Sequence, residues 1–135
     1  MTTIACNHEM MAADSQVTDG NIKEKCIKIF KVNGDIIGIA GSYSEGLAFV
    51  RWWSDKEKEK PSFSETEAIV LKPDGTIERW DGAFYPMAVK GFQAIGSGSN
   101  FALGAMEMGA DPKKAVQVAC KYDCYSCPPV RVKKV

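Results

Sequence analysis

The sequence predicts an α+β domain built on antiparallel sheets. Short β-prone runs come in pairs joined by tight-turn residues rather than in βαβ order, and the stretches with helical spacing lie between those pairs. The chain has 135 residues, 45% of them hydrophobic, which suits one layered domain spanning 1–135.

Thr2 to Cys6 and Met10 to Ala13 flank Asn7-His8-Glu9, the pattern of two strands joined by a tight turn. Ile27 to Val32 and Asp35 to Ala40 enclose Asn33-Gly34, a pair suited to a type I′ turn because both residues tolerate positive φ. Ser42 with Glu45 three residues on forms a capping box, and Leu47, Phe49, Val50, Trp52 and Trp53 continue at helical spacing, so a helix is expected from about Ser44 to Lys58. Pro61 to Ser64 then reads as a loop. From Glu67 the pattern is strand, Pro73-Asp74-Gly75 turn, strand over Thr76 to Trp80, Asp81-Gly82 turn, and strand again towards Ile95. Phe101 to Met108 is an apolar helical run that stops at Gly109. Asp111 before Pro112 opens a further helix to about Asp123, because it offers a capping acceptor ahead of the favoured first-turn proline. Pro128-Pro129 ends that segment, and Val130 to Val135 reads as a last strand.

Composition narrows function. Seventeen basic residues balance seventeen acidic ones, so nothing resembles the electrostatic footprint of a nucleic-acid or membrane-surface binder. The longest apolar stretches, Ile36 to Ala40 and Ala102 to Met106, fall far short of the roughly 20 residues of a membrane span. No basic region followed by an apolar core opens the chain, so a cytoplasmic location is expected. There the five cysteines, Cys6, Cys26, Cys120, Cys124 and Cys127, are expected to stay reduced.

Thr2 carries the first chemical signal. Its small side chain permits removal of Met1, which leaves a threonine whose hydroxyl and α-amine share one residue. Such an amine has a pKa of about 7.7 to 8.0 and can accept the hydroxyl proton near neutrality.

Further segments, in the same order along the chain, resemble the proteasome β-subunit family and within it the HslV-like threonine peptidases, which are N-terminal nucleophile hydrolases. Thr2-Thr3-Ile4 is similar to the mature start of that family. Ala13-Asp14-Ser15-Gln16-Val17-Thr18-Asp19-Gly20-Asn21 resembles the segment that supplies a buried aspartate and a substrate-contacting threonine. Ile39-Ala40-Gly41 resembles the oxyanion-hole strand, Ala94-Ile95-Gly96-Ser97-Gly98-Ser99 the serine loop, and Asp123-Cys124-Tyr125-Ser126 the aspartate and serine before the last strands.

The resemblance implies a four-layer αββα sandwich of two antiparallel sheets, with one helix of the usual set missing after Trp53. It implies a threonine endopeptidase with Thr2, Asp14, Lys25, Gly41, Ser97, Asp123 and Ser126 as catalytic residues. Lys25 is preferred over its rival Lys28 because it shares strand parity with Ile27 and Ile29. Val17, Thr18, Lys23, Ile39 and Tyr43 are the implied substrate-binding residues, against which a peptide would lie as an added strand. Implied partners are a peptide or unfolded protein substrate, a homo-oligomeric ring, and an unfolding ATPase; no nucleic acid and no membrane are expected. No cofactor is implied beyond a structural cation held by main-chain carbonyls near Asp123 to Ser126. With a helix missing, Trp52 and Trp53 are left to serve either a subunit interface or a different stacking.

Two other classes compete. One is an inactive proteasome-like scaffold. The other is a metal or iron–sulfur protein, because Cys120, Cys124 and Cys127 follow a C-x3-C-x2-C spacing. Only eight residues follow Cys127, and cysteines at a helix end more often act as small apolar fillers. Gly96 to Asn100 imitates a phosphate loop but lacks its third glycine and any Gly-Lys-Ser/Thr ending, and His8-Glu9 lacks a second histidine.

Overall fold

The structure is a computed structural model that describes residues 2–57 and 59–135. The first hairpin joins β1 (Ile4–Asn7) to β2 (Met10–Ala13), and a second, separate one joins β3 (Gln16–Asp19) to β4 (Ile22–Lys25). β5 (Ile29–Val32) and β6 (Asp35–Gly41) form the next hairpin, with Asn33 at φ 52° and Gly34 at φ 87° as the type I′ turn requires. After α1 (Tyr43–Ser54) come β7 (Thr66–Leu71), β8 (Ile77–Trp80), β9 (Met87–Val89) and β10 (Phe92–Ile95). The chain ends with α2 (Ser99–Glu107), α3 (Pro112–Tyr122) and β11 (Arg131–Lys134).

Two antiparallel sheets result, one of order β10-β1-β2-β11 and one of order β5-β6-β7-β8-β9. They pack face to face around Ile4, Met11, Ile29, Ile36, Ile69, Leu71, Ile77 and Ile95. A Cβ on Gly38 would lie 2.6 Å from Ile4 Cγ2 and 2.7 Å from Met11 Sδ, so the sheets approach closely only because β6 has no side chain there. Helix α1 covers the five-stranded sheet, and α2 and α3 cover the four-stranded one. This is the expected αββα sandwich, with a single helix on one outer face. No helix among the described residues is long and apolar enough to cross a membrane.

Three local expectations change. The helix after Ser42 ends at Ser54, short of Lys58, which lies outside the described residues. Lys56 instead folds back with its ammonium 3.7 Å from the centre of the Trp53 ring. Secondly, the strand expected towards Ile95 is two strands. A turn with Gly91 at φ 85° lets β9 finish one sheet while β10 joins the other beside β1. Thirdly, no continuous strand runs from Lys25 through Ile27 to Ile29. β4 belongs to the separate hairpin, and residues 26 to 28 lie outside regular strand before β5 begins.

Candidate active site

At one end of the sandwich the first residues of the chain are buried among polar groups. Thr2 and Thr3 lead into β1 and are 4% and 0% exposed. Thr2 N–H donates to Ser97 Oγ at 3.1 Å, and the Thr2 carbonyl accepts from Gly98 N–H at 3.3 Å. Thr3 N–H donates to Asp14 Oδ1 at 3.0 Å, while its hydroxyl shares a 2.7 Å hydrogen bond with Ser126 Oγ. The loop before α2 wraps this segment so tightly that a Cβ on Gly98 would lie 1.9 Å from Thr3 Oγ1. Met1, whose removal the chemistry needs, lies outside the described residues.

Asp14, fully buried at the end of β2, gathers four donors. Oδ1 accepts from Thr3 N–H at 3.0 Å and from Lys28 Nζ at 2.8 Å; Oδ2 accepts from the N–H groups of Gln16 and Cys127, both at 3.1 Å. The lysine here is Lys28, with its side chain 2% exposed and a second hydrogen bond to the Gln16 carbonyl. Lys25, the residue preferred from sequence, is exposed on β4. Strand parity would hold only over one strand from 25 to 29. Cys26 N–H still follows the β3–β4 register, donating to the Ser15 carbonyl at 2.9 Å, whereas the Lys28 carbonyl already follows the β5–β6 register; the change of partner between them shifts the alternation, leaving Ile27 45% exposed and Lys28 buried. Lys23, which the resemblance implied for the pocket, is exposed on β4, opposite Thr18, and does not line the cleft.

Beside this ion pair opens a cleft of about 200 Å³, lined by Thr2, Lys28, Gly41 and the four remaining predicted substrate residues, Val17, Thr18, Ile39 and Tyr43, together with Ala40 and Ser42. Successive N–H groups of a strand point to opposite edges. Ile39 N–H reaches the Lys28 carbonyl at 3.0 Å, so Gly41 N–H faces that same edge. Gly41 has φ 102°, and a Cβ on it would lie 2.0 Å from the Glu65 carbonyl oxygen. Tyr43 closes the cleft wall by donating its hydroxyl to the Ile27 carbonyl at 2.8 Å.

Ser97, Asp123 and Ser126 form one network. Asp123 Oδ2 accepts from Ser97 Oγ at 2.7 Å and Ser126 Oγ at 2.6 Å, and Oδ1 accepts from Tyr125 N–H at 3.2 Å. Asp123 is the C-cap of α3, where a negative charge meets the negative end of the helix dipole. Burial pushes its carboxyl up, yet the two serine hydroxyls and the Tyr125 N–H outweigh that and hold it below the usual carboxylate range. Thr2 N–H is thus connected through Ser97 to a carboxylate that stays ionised. Sequence reasoning missed Thr3, the neighbour of the proposed nucleophile, whose hydroxyl ties the N-terminal segment to Ser126.

The rival chemistries find less support. No group of three or more His, Cys, Asp or Glu side chains among the described residues could hold a metal ion. Cys120 is half-buried on α3 with its thiol pushed up to about 12, chiefly by burial, and Cys124 is exposed. In the turn offered to a structural cation, the Asp123 carbonyl accepts Ser126 N–H at 3.2 Å and the Cys127 carbonyl accepts Ser15 N–H at 2.9 Å.

No protein-family model matches the sequence, and no curated protein matches it. Among solved structures the chain is similar to Thiobacillus denitrificans BPH, with a TM-score of 0.81 at 20% identity over 99% of this chain and 96% of that one. It is also similar to that protein in complex with epoxomicin, with a TM-score of 0.77 at 19% identity over 99% and 97% of the two chains. For eukaryotic HslV from Trypanosoma brucei the TM-score is 0.74 at 22% identity, covering 98% of each chain. Over nearly its whole length, then, this chain has a proteasome β-subunit and HslV-like fold.

Proposed function

We propose that the chain is a threonine peptidase that cleaves peptide bonds with Thr2 once Met1 is removed. The observation that supports this best is the buried Lys28–Asp14 pair, held in the cleft that Thr2 and Gly41 share. A buried ion pair is weak evidence for stability, since apolar residues of similar volume often do as well. In a cleft beside a nucleophile it supports a functional role.

In this mechanism the Thr2 α-amine takes the proton from Oγ as Oγ bonds to the substrate carbonyl carbon, and the carbonyl electron pair moves to its oxygen, where Gly41 N–H stabilises it. Collapse breaks the C–N bond, and the departing amine takes the proton back from the ammonium. A water molecule then attacks the Thr2 ester, its proton going to the amine. The products are a carboxylic acid and restored threonine. The Lys28 ammonium disfavours a second positive charge beside it and so keeps the amine neutral, while Asp14 fixes Lys28 in place. Ser97 positions the amine, with Asp123 and Ser126 orienting Ser97. The peptide would lie extended along Gly41 to Tyr43 and Thr18, with Val17 and Ile39 beneath a side chain. An open site of this kind would cut extended peptides indiscriminately, so we further propose enclosure in a homo-oligomeric ring fed by an unfolding ATPase in the cytoplasm.

Intact mass spectrometry after incubation with epoxomicin tests the reading. The expected outcome is a mass lacking Met1 plus one inhibitor adduct on Thr2, with no adduct on Thr2→Ala. Folded protein that keeps Met1 and takes no adduct would favour the inactive scaffold. The same assay separates the two lysines: Lys28→Ala should lose at least about 100-fold in adduct formation, and Lys25→Ala should match the parent chain.

A further inference from the structure

The capping box at the start of α1 is only half used for capping. Ser42 Oγ accepts from Glu45 N–H at 3.4 Å, as an N-cap should. The Glu45 carboxylate, instead of returning to the Ser42 N–H, reaches across to the segment before β7. Its Oε2 accepts from Ser64 N–H at 3.4 Å and Ser64 Oγ at 2.8 Å; its Oε1 accepts from Glu65 N–H at 3.1 Å and Thr66 Oγ1 at 2.7 Å. Three consecutive residues thus converge on one carboxylate in the first turn of a helix, where the dipole also favours negative charge.

What Glu45 holds is the wall behind the oxyanion donor. The Glu65 carbonyl accepts Ser42 N–H at 3.3 Å, Thr66 pairs with Gly41 in the ladder, and the Glu65 carbonyl oxygen would sit 2.0 Å from any Gly41 Cβ. The residues leading into this wall, 59 to 63, have no regular secondary structure to fix it. We propose that Glu45 is the positioning residue of the Gly41 oxyanion donor, a role that rests on the peptidase reading above and adds a residue to it. Glu45 fixes Ser64 to Thr66, these hold the Ser42 N–H and the Gly41 backbone beside them, and that in turn fixes where the Gly41 N–H, carried by the preceding Ala40–Gly41 peptide, meets the cleft.

The test compares Glu45→Ala and Glu45→Gln with Asp35→Ala. Asp35 holds the far end of α1 by accepting from Trp53 Nε1 at 2.9 Å, so its loss loosens the same helix away from Gly41. Glu45→Ala should lower kcat about 10- to 100-fold, because a slightly misplaced donor loses most of its transition-state advantage. KM should change by less than about twofold, since the side-chain pocket is untouched. Glu45→Gln, which keeps one acceptor oxygen, should recover part of the loss, and Asp35→Ala should keep the parent kcat. Hydrogen exchange at the Ser42 amide gives a readout independent of activity, and it should accelerate in Glu45→Ala but not in Asp35→Ala. Unchanged Ser42 exchange in Glu45→Ala, or an equal kcat loss in Asp35→Ala, would overturn the proposal. If the parent chain forms no adduct at Thr2, the peptidase reading fails on its own, and Ser42 exchange alone then decides whether Glu45 sets this turn.

Discussion

The two outer faces of the sandwich are covered by opposite means. Against the four-stranded sheet, α2 and α3 pack through small side chains: Ala5, Ala12, Ala94, Ala102, Ala115 and Val116, with Met106. Against the five-stranded sheet, α1 stands alone and the area is filled by rings: Phe49, Trp52, Trp53, Phe63 and Trp80, with Phe84 beside them. Ring centroids around Phe49 lie 5.1 to 5.9 Å away, within the range of favourable aromatic pairs. Bulk here takes the place of a helix, which answers what Trp52 and Trp53 do: they stack within their own chain. The polar accounting differs as well. Trp52 and Trp80 leave their indole N–H groups buried without a hydrogen-bond partner among the described residues. The alanine face instead runs into the Ser97, Asp123 and Ser126 network, where each of these side chains is hydrogen-bonded. The alanine face therefore runs directly into the Ser97, Asp123 and Ser126 network, whereas the ring cluster is apolar packing.

Three experiments sharpen or break that contrast. Phe49→Ala removes the ring at the centre of the aromatic face and should cost about 3 to 5 kcal/mol in urea denaturation, with the rate of Thr2 acylation per folded molecule unchanged. A slowed rate would mean that the aromatic face reaches the site. Gly98→Ala should destabilise less, about 1 to 3 kcal/mol. Its effect on acylation should nonetheless be large, because the new methyl group collides with Thr3 Oγ1 and lies 3.1 Å from Asp123 Oδ2. The smallest effect concerns pH. Since the folded-state pKa of Asp123 is depressed below its ordinary 3.8, its stabilisation is fully present above that value and lost as pH falls through the lower, folded value. Asp123→Asn should therefore be less stable than the parent at pH 7, with the gap closing as pH falls below about 3.8; a gap that persists in acid would remove the carboxylate from the network.

Where the sequence was informative, the reason was local chemistry. Asn33-Gly34 accepts positive φ, Asp111 caps α3 by accepting Lys114 N–H at 2.8 Å, and Gly109 stops α2 with φ 101°. Each is settled within a few residues, so neighbours along the chain decide it. Of the candidate site, Thr2 was legible from its residue type and Asp14, Gly41, Ser97, Asp123 and Ser126 from the resemblance, and the fold brings these six to one end of the sandwich. Lys25 is exposed because strand parity holds only while a strand is unbroken, and Lys23, implied by the resemblance alone, lies on the same exposed strand. Cys26 still pairs with Ser15 in the β3–β4 register while Lys28 already pairs with Ile39 in the β5–β6 register, and nothing in residues 23 to 29 alone announces that change of partner.

By itself the sequence determined the hairpins around Asn7 to Glu9 and Asn33-Gly34, the caps at Ser42 and Asp111, and the set of chemical groups available, since these depend on backbone preference and on which side chains the chain contains. Only the tertiary structure decided which lysine is buried against Asp14, that the Glu45 carboxylate turns towards Ser64 to Thr66, and that a cluster of rings fills the place of a helix. Those outcomes depend on pairing between distant segments, where a shift of one residue exchanges the buried face for the exposed one.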